Sequence, residues 1–562
     1  MHEWLSRIDH HFPVRYSAWL LCAVGFLLCT FTYVGFGMGG WWALFFLFGV
    51  GLGFRDTQQS RHSVLRNYPV IGHIRFLLEF VRPEIRQYFI ESDREAAPFS
   101  RQQRSLVYQR SKGAQDKRPF GTQLDVHAHG YEWINHSLAP TELPSHDFRI
   151  TIGNTGSSCT QPYSASVFNI SAMSFGALSA NAILALNQGA KRGGFAHDTG
   201  EGSISQHHRV HGGDLIWEIG SGYFGCRNDD GSFNPERFAA AAGEPQVKMI
   251  EIKLSQGAKP GHGGVLPGAK VTPEIAATRG VPVGVDCVSP ARHSAFSTPV
   301  EMMHFIERLR TLSGGKPVGF KLCIGHPWEW FALAKAMMET KLLPDFIVVD
   351  GGEGGTGAAP LEFTDHVGAP MQEGLLLVHN TLVGLNLRHR VRIGCAGKVI
   401  SAFDIARMTA LGADWCNAAR GFMFALGCLQ AQTCHTGHCP TGVTTQDLHR
   451  QRALIVPDKA ERVYRFHQNT LAALKELVQA AGLTHPHQIS PTHIVRRTAE
   501  QEVKLLANLL PFLKPGALLA AVRGETDWPH NVYRYYWQLA RSDSFALAAS
   551  ADTAAAPQLA GA

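Results

Sequence analysis

Between residues 165 and 420, short apolar or β-branched runs alternate with helical stretches, and this alternation constrains the fold more than any other feature. Such a rhythm is typical of parallel strands joined by helices, and about 260 residues suit an eight-fold repeat of that unit. The sequence therefore predicts the α/β class and a (β/α)8 barrel. The predicted strands lie at 167–171, 247–254, 281–286, 317–322, 345–350, 391–395 and 413–419. The predicted helices lie at 178–191, 299–312, 328–340, 372–387 and 401–411.

An uncharged stretch covers residues 16–54. As one helix these 39 residues would extend for about 58 Å, nearly twice the ~30 Å of a hydrocarbon core. The glycine-rich segment 36–40 should break a helix. We therefore predict a membrane hairpin over 17–54, with helices at about 17–35 and 41–54. A re-entrant hairpin and a hairpin buried in a protein core are the alternatives, whereas a signal peptide fits poorly because the apolar run is too long.

The positive charge of the chain is concentrated directly after this stretch. Residues 55–118 hold 13 Lys and Arg against 7 Asp and Glu, a surplus equal to the net +6 of the whole chain. A basic segment beside an apolar hairpin matches the positive-inside rule and attraction to anionic membrane lipids, although a solvated helical face is the alternative. We therefore expect an inner-membrane protein with a cytoplasmic catalytic domain. Nucleic acid is not an expected partner, because no nucleic-acid-binding pattern accompanies the basic segment.

Three predicted strands end in loops that suit an anionic ligand. Barrels carry their chemistry at the carboxyl ends of the strands and commonly hold a phosphate after strands seven and eight. Backbone N–H groups suit an anion, and a nearby Lys or Arg adds charge-assisted hydrogen bonds. Flavin mononucleotide (FMN) or another single-phosphate ligand is preferred over NAD or FAD, because no dinucleotide fingerprint is present. The candidate cofactor-binding residues in these loops are Asp350, Gly351, Gly352, Gly354, Gly355, Thr356, Gly397, Lys398, Arg420 and Gly421.

Three cysteines lie within twelve residues. Cys428, Cys434 and Cys439 form a C-x5-C-x4-C pattern, which fits an iron–sulfur cluster or zinc. His435 and His438 interleave with them, so a Cys/His zinc site is an alternative, although the usual paired spacing is missing. Buried structural cysteines are the other alternative. Three cysteines without a fourth nearby indicate a three-iron cluster, or a four-iron cluster with a remote ligand.

These motifs together resemble the flavin-binding synthase domain of glutamate synthase, and more closely the shorter stand-alone, membrane-anchored members of that family. The resemblance covers about residues 165–447. It is carried by SAMSFGALS (171–179), TGEGS (199–203), IKLSQGAKPGHGGVLPGAKV (252–271), DGGEGGTGAAPL (350–361) and ALGCLQAQTCHTGHCPTGVTTQD (425–447).

The resemblance implies a barrel that carries FMN and a 3Fe-4S cluster on Cys428, Cys434 and Cys439. The implied enzyme is an oxidoreductase of the class acting on CH–NH2 donors. Ammonia and 2-oxoglutarate would give 2-iminoglutarate, which would take a hydride from reduced FMN to form L-glutamate. Electrons would reach the flavin through the cluster.

The resemblance also implies roles for residues outside the phosphate loops. Met173 and Ser174 would lie beside the flavin ring, and Arg279 would bind a substrate carboxylate. Gln256 and Lys259 match the loop that contacts both flavin and substrate, and Lys321 would face the flavin from a strand end. Glu201 is the candidate general acid or base, since it is the only acid in its glycine-rich loop. The predicted catalytic residues are therefore Glu201, Lys259 and Lys321, with Gln256, Lys259 and Arg279 binding substrate.

Departures from the family pattern leave the substrate and partners open. Ser203, Ile204 and Ser205 replace an acidic pair, His262 replaces an acid, and Ala396 and Ala419 stand in the phosphate loops. No glutaminase or NADPH/FAD domain is recognised, so we expect free ammonia, another amine or a separate glutaminase as nitrogen source. Ferredoxin or a membrane redox partner is the expected electron donor. The alternatives are amine transfer that yields an N-alkylglutamate, and an electron carrier without synthase activity.

The sequence thus predicts six segments. They are a cytoplasmic tail (1–16), the membrane hairpin (17–54), a basic juxtamembrane and helical lead-in (55–160), the FMN-binding barrel with its iron–sulfur loop (161–450), a C-terminal helical region (451–541) and a disordered tail (542–562).

Overall fold

The structure is a computed structural model that describes residues 14–547. Most of the two predicted terminal tails, 1–16 and 542–562, lies outside that range. The chain divides into two compact units, the first ending at Arg101 and the second beginning at Gln102.

Within the described residues, the first unit contains helices and turns but no strand. Its helices are α1 (Ser17–Phe36), α2 (Gly40–Gln58), α3 (Ser63–Asn67) and α4 (Gly72–Ile85), and a π-helical turn (Arg86–Ile90) follows. The chain reverses between α1 and α2 at Gly37 and Gly39, which adopt φ of 68° and 96°. Glycine adopts these left-handed conformations without steric cost, which explains why the glycine-rich segment ends one helix and begins the next.

The two long helices pack through glycines. A Cβ atom at Gly49 would lie 2.6 Å from the Sγ atom of Cys22, and one at Gly25 would lie 2.8 Å from the Phe46 ring. Small residues at such contacts let helix backbones approach closely, as they do between membrane helices. Among the described residues, the segment Val14–Phe36 is the one helix long and apolar enough to cross a bilayer, and its apolar window is not buried in protein.

The second unit contains a closed barrel of eight parallel strands, which confirms the predicted fold class. In barrel order the strands are β4 (Phe168–Ile170), β5 (His197–Asp198), β6 (Leu215–Ile219), β7 (Val247–Lys253), β10 (Val318–Leu322), β11 (Phe346–Asp350), β12 (Arg392–Ala396) and β13 (Trp415–Ala418). Strand β13 pairs with β4 and closes the barrel. Strands β6 and β10 are buried at every position, as expected of parallel strands covered on both faces.

The remaining strands form three small antiparallel sheets. They are β1 (Glu132–Ile134) with β14 (Ile494–Ala499) and β15 (Glu502–Leu505), β2 (Arg149–Ile152) with β3 (Tyr163–Ser166), and β8 (Val265–Leu266) with β9 (Cys287–Val288). The helices of the second unit, with the one that spans the boundary, are α5 (Arg101–Lys112), α6 (Ala180–Gly193), α7 (Gln206–Arg209), α8 (Pro235–Ala242), α9 (Pro273–Arg279), α10 (Pro299–Leu312), α11 (Pro327–Thr340), α12 (Leu361–His366), α13 (Met371–Gly384), α14 (Ala402–Ala410), α15 (Arg420–Leu426), α16 (Leu448–Gln451), α17 (Val456–Ala480), α18 (Leu506–Leu509), α19 (Ala517–Val522) and α20 (Asn531–Leu539).

Capping boxes set the start of two helices around the barrel. The Thr298 side chain accepts the Glu301 N–H, and Glu301 accepts from the backbone N–H of Thr298 in return; Ser401 and Asp404 do the same. These reciprocal bonds satisfy N–H groups that a helix leaves unpaired at its start. They explain why the predicted starts at 299 and 401 agree with the structure to within one residue.

Three parts of the secondary-structure prediction are wrong. The predicted strand 281–286 is a loop, because Pro282 cannot donate to a ladder and Gly284 adopts a φ of 71°. Strands β5 and β6 were missed, the first because it has two residues. The predicted C-terminal helical region (451–541) is interrupted after Ala480 by the β14–β15 hairpin.

Candidate functional site

Three loops meet at the carboxyl ends of β7, β11 and β12. The Gly257 N–H donates to Oδ2 of Asp350 at 2.8 Å, and the Gly351 N–H donates to the Ala396 carbonyl at 2.8 Å. A Cβ atom at Gly257 would overlap the Gly351 carbonyl oxygen, so that position requires glycine. Burial raises the pKa of Asp350, while Lys321 and the Gly257 N–H oppose the shift. The loop 350–357 is thus fixed by its neighbours on both sides.

Gly257→Ala is expected to lower FMN affinity at least tenfold, because the two loops must separate to admit the methyl group. Flavin content and FMN titration of the apoprotein measure the effect. Gly325→Ala is the matched control, since a Cβ atom there meets nothing within 4 Å and should leave affinity unchanged. Equal FMN affinity in both variants would contradict this assignment of the loop.

A basic residue follows each of the last two barrel strands, and one of them, Arg420, contacts the glycine-rich loop. Nη2 of Arg420 donates to the Thr356 carbonyl at 2.8 Å, and a Cβ atom at Gly355 would lie 3.1 Å from that same nitrogen. Lys398 is exposed and adopts a φ of 53° directly after Gly397. The arrangement brings the predicted residues of 350–356 and Arg420 into contact.

Several predicted glycines are required by close packing. A Cβ atom at Gly352 would lie 2.9 Å from the Gly368 carbonyl oxygen, and one at Gly354 would lie 3.0 Å from that of Gly351. At Gly397 the neighbour is the Met371 side chain, at 2.6 Å, and at Gly421 it is the Phe466 ring, at 3.2 Å. Gly397 and Gly421 therefore have a packing reason to be glycine whether or not a phosphate binds there.

Glu201 forms an ion pair with Lys253, a residue that the sequence analysis did not single out. The Lys253 Nζ atom lies 2.8 Å from Oε2 of Glu201 and donates to Oε1 of Gln256 at 3.1 Å. Burial works against the charge of Glu201, but Lys253, Arg279 and Lys259 outweigh it and lower its pKa to about 2. Glu201 is thus a carboxylate at neutral pH, which suits a proton acceptor or the partner of a cation.

Lys259 and Arg279 surround this carboxylate at longer range. Burial lowers the pKa of Lys259, and Glu201 partly restores it. Arg279 is 5% exposed, and its Nη2 atom donates to the Phe175 carbonyl at 3.0 Å. Its Nε atom has no hydrogen-bond partner among the described residues, so the guanidinium retains a donor. The predicted substrate-binding cations therefore converge on Glu201.

The loop after β4 contacts the same region. Cβ atoms at Gly200 and Gly202 would lie 2.7 Å from the Ser174 nitrogen and 2.8 Å from its Cβ atom. Met173 is buried and Ser174 half-buried. The structure thus brings Met173 and Ser174 against the loop that carries Glu201, and their predicted contact with a flavin ring stays a prediction.

Lys321 is directed into a group of buried acids. Its Nζ atom pairs with Glu218 and lies 3.5 Å from Oε1 of Glu251. Burial opposes the charge of Lys321, but Glu218, Glu251 and Asp198 outweigh it and raise its pKa well above the ordinary value. These acids were not predicted from the sequence. The available signal was a Glu flanked by isoleucine or tryptophan in each of two strands, LIWEI and VKMIEIK.

The three predicted cluster ligands line one small pocket. Cys428, Cys434 and Cys439 all contribute to it, whereas His435 and His438 do not and are exposed. The donor set is therefore three thiols, which disfavours the Cys/His zinc alternative. Burial raises the pKa of Cys428 to about 11; at Cys439, hydrogen bonds to Thr441 and Thr444 outweigh burial and lower it to about 7.

The cysteine pocket lies beside the glycine-rich loop. A Cβ atom at Gly357 would be 4.0 Å from that of Cys434. The Nζ atom of Lys270 donates to the His435 carbonyl at 2.8 Å, which ties the pocket to the segment that follows Lys259. A group held by the cysteines would therefore lie next to the loop that was predicted to bind the cofactor.

Comparison with known proteins adds a family match. The family model described as the conserved region in glutamate synthase matches residues 147–484. The glutamate synthase large subunit-like protein YerD of Bacillus subtilis is 37% identical over 495 residues, which cover 81% of this chain and 94% of that protein.

More distant relatives are matched over part of their length. The archaeal glutamate synthase (NADPH) of Methanocaldococcus jannaschii is 36% identical over 315 residues, which cover 56% of this chain and 58% of that protein. Among solved structures, the flavin-binding domain of baker's yeast flavocytochrome b2 is 11% identical over 75% of this chain and 84% of that chain, with a TM-score of 0.39. The assignment of the barrel fold depends on the observed strand pairing and not on this likeness.

Proposed function

Since the chain belongs to the glutamate synthase family, we propose that it is a flavin-dependent oxidoreductase that aminates 2-oxoglutarate reductively to L-glutamate through 2-iminoglutarate. One observation carries the proposal. The Glu201–Lys253 pair, Lys259 and Arg279 converge at the barrel end that also holds the glycine-rich loop. Carboxylate-binding cations and a cofactor loop at one site are what this reaction needs.

The residues present fit FMN. Glycines at 352, 354 and 355 let the loop pack against its neighbours without side chains, and Lys398 and Arg420 supply positive charge for a single phosphate. Met173 and Ser174 would lie beside the ring, with Gln256 at its edge and Asp350 fixing the loop. When bound, FMN would supply the hydride for the imine. The protein's own part is to hold the ring and substrate in register and to exclude water from them.

The substrate is a dianionic keto acid, and the site offers matching cations. Arg279 and Lys259 are cations that act on Glu201, and Lys259 is buried enough to be only partly hydrated, so both suit carboxylates. The Glu201 carboxylate would accept a hydrogen bond from an N–H group of ammonia or of the iminium nitrogen, since it stays ionised beside Lys253. Lys321 would add positive charge on the flavin side, where reduction increases negative charge.

The cysteine pocket fits an iron–sulfur cluster. Three thiols with no histidine favour iron–sulfur over zinc, and three ligands match a 3Fe-4S cluster. Such a cluster would pass single electrons, and the approach of Cys434 to Gly357 supports a position for it next to the proposed cofactor loop. We propose ferredoxin or a membrane redox partner as the electron source.

We further propose that the helical hairpin anchors the chain in the inner membrane with the barrel in the cytoplasm. Helix α1 is long and apolar enough to span a bilayer. In the same unit, α4 exposes Leu77, Leu78 and Phe80 by 60%, 57% and 79% of their surface, beside Arg75 and Arg82. An apolar face edged by arginines suits the lipid interface and anionic headgroups.

Product analysis tests the function. Washed membranes that hold the full chain are reduced with dithionite and given 2-oxoglutarate with ammonium or methylamine, and the products are identified by mass spectrometry. We expect L-glutamate from ammonium, in the membrane fraction and not in the supernatant. N-methylglutamate as the main product would show amine transfer instead, and no amino acid from either donor would contradict synthase activity.

A further inference from the structure

Four charged side chains from four neighbouring barrel strands meet in the barrel interior. Asp198 lies on β5, Glu218 on β6, Glu251 on β7 and Lys321 on β10, and these strands are consecutive around the barrel. Each side chain is at most 5% exposed. One carboxylate oxygen of each acid lies within 4.8 Å of the others, and Lys321 pairs with Glu218 and approaches Glu251. We call these four residues the interior cluster.

The charges of the interior cluster do not balance if all of its acids are ionised. Three carboxylates and one ammonium would leave two uncompensated negative charges in a buried site, which is costly. The Asp198 carboxylate accepts one N–H bond, from Gly200 at 3.0 Å, whereas neither oxygen of Glu251 has a hydrogen-bond partner among residues 14–547. A carboxyl group in that setting keeps its proton. Burial, and next the negative charge of Asp198, raise the pKa of Glu251 well above its ordinary value.

Within residues 14–547, the charged groups that act most strongly on Lys321 are all acids. Asp350 on β11 is the other charged group that acts on Lys321, and it adds negative charge. Burial and Glu218 raise the pKa of Asp198 to about 7, against Lys321 and the Gly200 N–H. A metal ion is disfavoured because the ammonium of Lys321 already occupies the space between the acids as their cation. A proton is the remaining counter-charge.

We propose that Asp198, Glu218 and Glu251 form a proton-holding site inside the barrel, and that Lys321 couples its protonation to the charge of the bound flavin. Glu251 holds its proton permanently at neutral pH. When an external reductant adds two electrons to the flavin, the added negative charge attracts the Lys321 ammonium. The Asp198 carboxylate, less well neutralised, then takes one proton from solvent and forms an O–H bond. Asp198, Glu218 and Glu251 are positioning residues that act through Lys321. The coupling to the flavin rests on the proposed function, whereas the proton held by Glu251 does not.

Infrared spectroscopy of the full chain tests the stored proton directly, with or without flavin. At pH 7 we expect the C=O band of a protonated, deuterium-sensitive carboxylic acid, and its loss in Glu251→Gln. Glu236→Gln makes the same chemical change at an exposed site on α8 and should leave the band intact. Absence of the band in the wild-type protein at pH 7 would overturn the proposal even if no variant folds.

Potentiometric titration of the flavin tests the coupling. Each proton taken up with two electrons adds about 30 mV per pH unit to the slope of the flavin midpoint potential against pH, because a tenfold change in a two-electron equilibrium equals 29.6 mV. Below pH 7 Asp198 already holds its proton before reduction, so the difference should appear above that pH. Between pH 7 and 9 we expect the wild-type slope to be steeper than that of Asp198→Asn, by up to one proton per two electrons. Equal slopes, with the infrared band present, would overturn the coupling and leave the stored proton; failure to bind flavin would instead contradict the proposed function.

Discussion

Replacement of Cys434 by serine is expected to remove the iron–sulfur signal of the protein while flavin binding persists. Serine offers a hard oxygen in place of a soft thiolate, and the pocket has only two other thiols, from Cys428 and Cys439, among its lining residues. Synthesis driven by a protein electron donor should fall at least a hundredfold. Synthesis by the dithionite-reduced flavin should stay within about threefold of wild type, because none of the substrate-binding cations is touched.

Iron, acid-labile sulfide and electron paramagnetic resonance report the cluster, and absorbance reports the flavin. Cys29→Ser is a suitable control, since this cysteine lies in α1, remote in sequence from the cysteine motif. A full cluster signal in Cys434→Ser would refute its role as a ligand. Zinc in place of iron in the wild-type protein would refute the cluster itself.

The second large effect is expected from Lys253→Met. Burial raises the pKa of Glu201, and without the ammonium at 2.8 Å only the more distant Arg279 and Lys259 oppose that rise. The pKa of Glu201 should therefore rise from about 2. Product formation should fall on the order of a hundredfold, because a positioned charge that faces the reacting atoms is lost. Lys253→Arg keeps the charge and should retain most of the activity.

The pH dependence separates this account from a simple loss of structure. A carboxylate with a depressed pKa is ionised above that pKa and loses its charge only as the pH falls through it, so wild-type kcat/KM should show no Glu201 limb above pH 4. In Lys253→Met the acid limb should move upward into the range of about pH 5–7. Measurement of kcat and KM from pH 5 to 9 gives the answer, and an unmoved limb would count against the pairing.

The sequence predicted those parts of the fold that local patterns determine. The helix start at Pro299 follows from a capping box, and the break between the hairpin helices follows from Gly37 and Gly39. Strand β5 escaped prediction because two residues show no periodicity. The run 281–286 was predicted as a strand because its valines alternate, although its proline and glycine prevent the backbone hydrogen bonds that would pair it with another strand.

The candidate site likewise has parts that local sequence patterns predict and parts that only the folded barrel brings together. Loop 350–356, Lys259, Arg279 and the three cysteines were predicted because their motifs are local. The Glu201–Lys253 pair joins residues 52 positions apart, on the loop after β5 and at the end of β7, and only the closed barrel brings them together. The environment of Lys321 depends on three other strands, so a Glu within a strand could be noticed in the sequence but not assigned to Lys321 as its partner.

Single-turnover reoxidation of the flavin tests the central claim most directly. The enzyme is reduced anaerobically, freed of excess reductant, and mixed with 2-oxoglutarate, ammonium or both while flavin absorbance is followed. We predict rapid reoxidation only with both reactants present, accompanied by one L-glutamate per flavin oxidised. Reoxidation by 2-oxoglutarate alone, or none with both reactants, would contradict reductive amination at this barrel.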